Sequence, residues 1–150
     1  MSGEPRPVRK SLHHTAPSFV EAGEVFFLTV CAEIRGSQDI IAPPTARILL
    51  DSARFYHDSG RWWLRLLVLM PDHLHALVAL PGQEILTRTV GDWKRYATRK
   101  TGLHWQKNFF DHRLRNDESL EQKAQYIREN PVRAGLCTTL DQWPWWTENR

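Results

Sequence analysis

The apolar positions of this chain change period several times, from every second residue to every third or fourth, and each change marks a new element. "EVFFLTVCA" (24–32) is dense in aromatic and β-branched residues and predicts a strand. After the turn "RGSQD", the stretch "PPTARILLDSARFYHDSG" (43–60) predicts a helix, with its proline pair ahead of the first turn and "DSG" as its stop. "RWWLRLLVLM" (61–70) is a second strand. Pro71 and Asp72 turn the chain into a third, "HLHALVALP" (73–81), which makes the two strands hairpin neighbours. Leu86, Val90, Trp93 and Ala97 give the stretch 83–102 helical spacing. "FFDHRLR" (109–115) fits a short strand. "DESLEQKAQYIREN" (117–130) is a helix with acidic residues in its first turn, and Pro131 disfavours helical geometry at Asn130, so the helix is expected to end there. The order of elements, β-α-β-β-α-β-α, predicts an α+β fold: a small antiparallel β-sheet with packed helices.

Length and composition narrow this little. A chain of 150 residues, 41% hydrophobic and 25% charged, is most simply one globular domain, taken here as 21–150 behind an extended basic arm at 1–20 with Pro5, Pro7, Pro17, Arg6, Arg9 and Lys10. No apolar run is long enough for a membrane span, and the first residues carry charge without the apolar centre of a secretory signal. Cys31 and Cys137 match no ligand pair or disulfide framework, so reduced thiols in a cytoplasm are expected.

Charge distribution changes the picture more than net charge does. The chain carries only +3, yet between Arg88 and Arg115 eight basic residues (Arg88, Lys94, Arg95, Arg99, Lys100, Lys107, Arg113 and Arg115) face only Asp92 and Asp111. Trp93, Tyr96, Trp105, Phe109 and Phe110 are interleaved with them. Basic and aromatic side chains together suit nucleic acid, the first for phosphates and the second for unstacked bases. A solvated helix face has the same composition.

Candidate chemistry starts with "HLH" in the third strand. Strand side chains alternate, so His73 and His75 share a face with Leu77 and Ala79, while Leu74, Ala76, Val78 and Leu80 line the other face as core. Two imidazoles about 7 Å apart along a strand can converge on one metal ion. Two hydrogen-bonded, half-buried histidines would leave the same pattern. Of the three tyrosines, Tyr56 has Gly60 four residues on, and Tyr96 has Lys100 there, with Asp92 four before it. Tyr126 has Asn130, whose amide oxygen is a suitable hard ligand for Mg²⁺ or Mn²⁺, so this pair can bring a phenol and a ligand to one ion. An amphipathic core tyrosine and a helix-terminal asparagine fit that spacing equally.

Four blocks, "MPDHLHALVALP", "WQKNFFDHRLR", "ESLEQKAQYIRENPVRAGL" and "WPWW", stand in an order and approximate spacing that resembles the REP-associated tyrosine transposases, relatives of the single-tyrosine HUH transposases of bacterial insertion sequences. The resemblance covers roughly residues 24 to 146. Many relatives run on beyond "WPWW", so DNA contacts made by such a tail are not expected here. The resemblance implies an HUH-endonuclease fold, ferredoxin- or RRM-like, and a bacterial, nucleoid-associated protein. His73 and His75 take the place of its histidine pair, Tyr126 that of its nucleophile and Asn130 that of its third metal ligand, with Mg²⁺ or Mn²⁺ as cofactor.

The implied activity is cutting and rejoining of single-stranded DNA at hairpins of palindromic repeats, through a 5′-phosphotyrosine. A phenol leaves more readily than an alkyl alcohol, so the covalent link is reversible by a 3′-OH. Lys94, Arg95, Arg99, Lys100 and Arg115 are the expected DNA contacts, on a monomer or homodimer. His112 would touch DNA, orient a ligand or pack. Three rivals are a silent hairpin-binding descendant of a transposase, a zinc hydrolase of small molecules built on His-x-His, and a purely structural α+β domain.

Overall fold

A computed structural model describes residues 24–115 and 117–149. The basic arm expected at 1–20 lies outside the described residues. Five strands, β1 (Val25–Cys31), β2 (Trp63–Leu69), β3 (His73–Ala79), β4 (Phe110–Leu114) and β5 (Trp146–Glu148), form one antiparallel sheet in the order β4-β1-β3-β2-β5. The long helices are α1 (Pro43–Asp58), α2 (Gln83–Thr101) and α3 (Asp117–Arg128), followed by one more turn, α4 (Asn130–Arg133). The fold is α+β, as the periodicity predicts.

Each sheet face carries its own core. On one, Phe26, Leu28 and Val30 of β1 and Leu74, Ala76 and Val78 of β3 pack against Leu49 and Ala53 of α1 and Leu86, Val90, Trp93 and Ala97 of α2. On the other, Val25, Leu77, Ala79 and Leu114 are covered by Ala124 and Ile127 of α3 and by Trp143. The histidine face of β3 is therefore half core: Leu77 and Ala79 are sealed under α3, and the His73–His75 end stays only half-buried. Strand β2 reaches both cores through a bulge. The register of pairing shifts between Leu64 and Leu66, so Leu64, Leu67 and Leu69 join one core while Leu66 and Val68 join the other. A strand buried on both faces reads as a near-continuous apolar run, and β2 does.

Three elements depart from the sequence reading. Pro43 and Pro44 sit within the first turn of α1 instead of ahead of it, where their missing N–H groups cost nothing. The tyrosine helix breaks at Glu129, but Pro131 does not end helical structure. It occupies the first turn of α4, and Gly135, at a φ of +76°, turns the chain after it. Strand β5 was not expected: it pairs with β2, and its approach is fixed by the buried Trp143 indole, which donates to the Leu69 carbonyl at 2.9 Å. Among the described residues no helix is long and apolar enough to cross a membrane.

Candidate functional site

The tight turn at Pro71–Asp72, closed by Met70 N–H to the His73 carbonyl at 2.7 Å, starts β3 with a histidine. The rings of His73 and His75 stand edge to face, centroids 4.9 Å apart. Each Nδ1 is engaged: His73 Nδ1 lies 2.8 Å from Asp72 Oδ1, and His75 Nδ1 lies 3.0 Å from the Thr29 hydroxyl, its register partner on β1. Asp72 is itself held, its other oxygen accepting from Gly36 N–H at 2.7 Å and Arg35 Nε at 2.9 Å. Burial would raise the Asp72 pKa, but the Gly36, His73 and Arg35 hydrogen bonds outweigh it and hold the carboxylate well below its usual range. For His75, burial first and the charge of His73 next push the pKa down to about 4, with smaller pushes from Arg133 and Lys123 and an opposing backbone hydrogen bond at Leu28. Its imidazole is neutral at pH 7.

Helix α3 carries Tyr126 over this same face. Ala124 and Ile127 point into the core, which leaves Lys123 and Tyr126 on the flank of the helix toward β1 and β4. The Phe27 ring stacks on His75 with centroids 5.4 Å apart, and Lys123 Nζ stands 4.9 Å from the Phe27 centroid and 5.4 Å from that of Tyr126. The Arg133 guanidinium covers the Tyr126 ring at 3.8 Å, and its Nη2 donates to the Tyr126 carbonyl at 2.8 Å and to Asn130 Oδ1 at 3.1 Å. Tyr126 is 53% exposed, at the rim of an open groove of about 370 Å³ that it shares with His112, Ser119, Gln122 and Lys123. The nucleophile candidate and the histidine pair thus share one side of the sheet, linked ring to cation to ring.

The donor set fits a hard, exchangeable divalent ion. With both Nδ1 atoms engaged, the two Nε2 atoms remain for a metal, the usual outer-shell arrangement for ligating histidines. Among the described residues no group of three or more histidine, cysteine or carboxylate side chains is gathered to hold a metal. Asn130 Oδ1 has one lone pair left after accepting from Arg133.

No protein-family model matches the chain. A REP-associated tyrosine transposase of Escherichia coli K12 is 31% identical over 86 residues, 55% of this chain and 52% of that protein. A second relative of this kind, from Haemophilus influenzae, is 28% identical over 95 residues, 51% of this chain and 53% of it. A solved REP-associated tyrosine transposase bound to a REP hairpin superposes with a TM-score of 0.72 at 26% identity, covering 83% of this chain and 76% of that one. The chain is thus similar in sequence and fold to the REP-associated tyrosine transposases. It spans about half the length of the curated relatives it matches.

In this chain the expected DNA contacts scatter. Helix α2 and the segment 104–111 enclose a groove of about 890 Å³ on the opposite side of the sheet from the histidines, lined by Lys94, Arg95, Arg99, Lys107 and the aromatic Trp105 and Phe109. Lys94 gives its ammonium to the Gln106 and Lys107 carbonyls, and burial lowers its pKa. Arg95 pairs with Asp92, while Arg99 and Lys100 flank the Tyr96 ring. Arg115 is exposed just past β4. Of the interleaved aromatics, Trp93 is core, its indole donating to Ser52, whereas Phe110 is 70% exposed. Sequence reasoning missed Thr29, Phe27, Lys123 and Arg133. Only strand register brings the first two to His75, and Arg133 depends on the turn that Pro131 was expected to prevent.

Proposed function

We propose that this chain cuts and rejoins single-stranded DNA beside a hairpin, with Tyr126 as nucleophile. The observation that carries the reading is the seat of Tyr126: a half-exposed phenol, on the helix that covers the histidine face, flanked by two cations. The Tyr126 oxygen would bond to phosphorus as the bond from phosphorus to the 3′ oxygen breaks. The phenol proton is given up and the 3′ oxygen gains one, leaving a 5′-phosphotyrosine and a 3′-OH that can reverse the step. His73, His75 and Asn130 would hold Mg²⁺ or Mn²⁺, which when bound polarises a phosphate oxygen. Asp72 and Thr29 keep the imidazoles oriented, and the α2 groove would take the phosphates of the hairpin. The hairpin bound by the solved relative supports that substrate class for this chain.

A silent hairpin binder is the second reading, favoured by one observation: the Asn130 amide oxygen already accepts from Arg133. A panel of labelled DNA hairpins with unpaired flanks, incubated with Mn²⁺, separates the two. The expected result is a denaturant-stable adduct mapping to Tyr126, absent in Tyr126→Phe although binding persists. Binding without an adduct in the wild-type protein establishes the silent binder instead.

A further inference from the structure

Two positive charges flank the Tyr126 ring, and only Arg133 has a carboxylate near it among the described residues. Arg133 makes its hydrogen bonds through Nη2 alone. Its Nη1 stands 4.0 Å from Glu129, beyond hydrogen-bond distance, and its Nε carries no hydrogen bond among the described residues. Lys123 has no carboxylate partner among the described residues, and its ammonium sits between the Phe27 and Tyr126 rings. The groove that Lys123 and Tyr126 line is completed by His112, Leu114, Ser119 and Gln122 and is open to solvent. Arg133 is also braced from behind, because Nη2 joins the Tyr126 main chain to the Asn130 side chain across the α3–α4 break. A braced guanidinium with Nη1 still able to donate, and a compact ammonium against the same tyrosine ring, can together hold a phosphate: the fixed N–H gives direction and the ammonium adds charge.

We infer that Lys123 and Arg133 form the seat for the DNA phosphodiester that Tyr126 attacks, the guanidinium binding it through Nη1–H, which its Nη2 hydrogen bonds leave to give. The inference rests on Tyr126 being the nucleophile and adds two substrate-holding residues to it. It also assigns α4 a purpose, since that extra turn is what carries Arg133 back over the ring.

The test is a binding scan in EDTA, where no chemistry intervenes. The probe is a DNA hairpin with unpaired flanks in which each flank linkage in turn is replaced by an uncharged methylphosphonate. With the wild-type protein, neutralising one linkage should weaken binding about tenfold, as expected for loss of a charge-assisted contact. With Lys123→Gln/Arg133→Gln, the same replacement should cost less than about twofold, because the charges it met are gone. Lys123→Gln alone, which removes no hydrogen bond among the described residues, keeps the test readable if the double variant fails to fold, and it should erase part of the linkage cost. Equal costs in wild type and variants, or no sensitive linkage at all, overturn the seat. A failed scan in a protein that still forms the Tyr126 adduct sinks the seat alone. A successful scan without any adduct leaves a phosphate site on a silent binder and sinks the nucleophile.

Discussion

Thr29 fixes which nitrogen of His75 faces outward. Its hydroxyl stands 3.0 Å from Nδ1, and with Nε2 given to a metal, Nδ1 carries the proton and the hydroxyl accepts. His73 has a charged counterpart in Asp72, so the two imidazoles are steered by partners of different strength. Thr29→Val keeps the shape and removes the acceptor. Mn²⁺ affinity measured by calorimetry should fall about tenfold, the low end for losing an outer-shell partner. Unchanged affinity would mean that His75 is not a ligand or needs no steering. Neither outcome depends on turnover.

At the scale of elements, α3 is fastened to the sheet by ions as well as by its apolar face. Arg128 reaches Glu148 of β5 through Nε at 3.0 Å and through Nη2, and Arg65, at the β2 bulge, meets the same carboxylate. All three side chains are largely buried. Glu148→Ala leaves the two largely buried guanidiniums only the exposed Glu121, 3.1 Å from Arg65 and 3.5 Å from Arg128, and should destabilise the fold by about 2 kcal/mol, read as a lowered midpoint in thermal or urea unfolding. An unchanged midpoint would show that the apolar contacts of Ala124 and Ile127 suffice. The three long helices and four of the strands were legible because each buries a regular stripe: Leu86, Val90, Trp93 and Ala97 announce α2 without help. Strand β5 was not, because three residues after a proline hold no period and gain their place only from β2. The site was legible to the extent that it is local. His73 and His75 are two apart, and the tyrosine block stands out through its resemblance. Thr29 and Phe27 belong to the site only through a register 46 or more residues distant, and no spacing along the chain encodes that.

For the whole molecule, the sheet separates two working sides. The α2 groove with Arg99 and Lys107 lies on one, and Tyr126 with the histidines lies on the other. If the groove takes phosphates, hairpin binding weakens with salt in proportion to the cations engaged. Neutralising Arg99 and Lys107 together should flatten the slope of log affinity against log salt by roughly 1.4 to 1.8, while adduct formation on bound DNA keeps its rate. An unaltered slope would remove the groove from the interface. Between the two sides runs β4, bonded to β1 alone, with Phe110, Asp111, His112 and Arg113 facing solvent. A ligand that passes from one side to the other by this edge has to fold over the rim within the width of one strand. A double helix, stiff over about 150 base pairs, does not make so sharp a corner by smooth bending, so the stretch crossing the rim has to be unpaired. The outer strand of the sheet would thus measure how far from the stem a cut can fall.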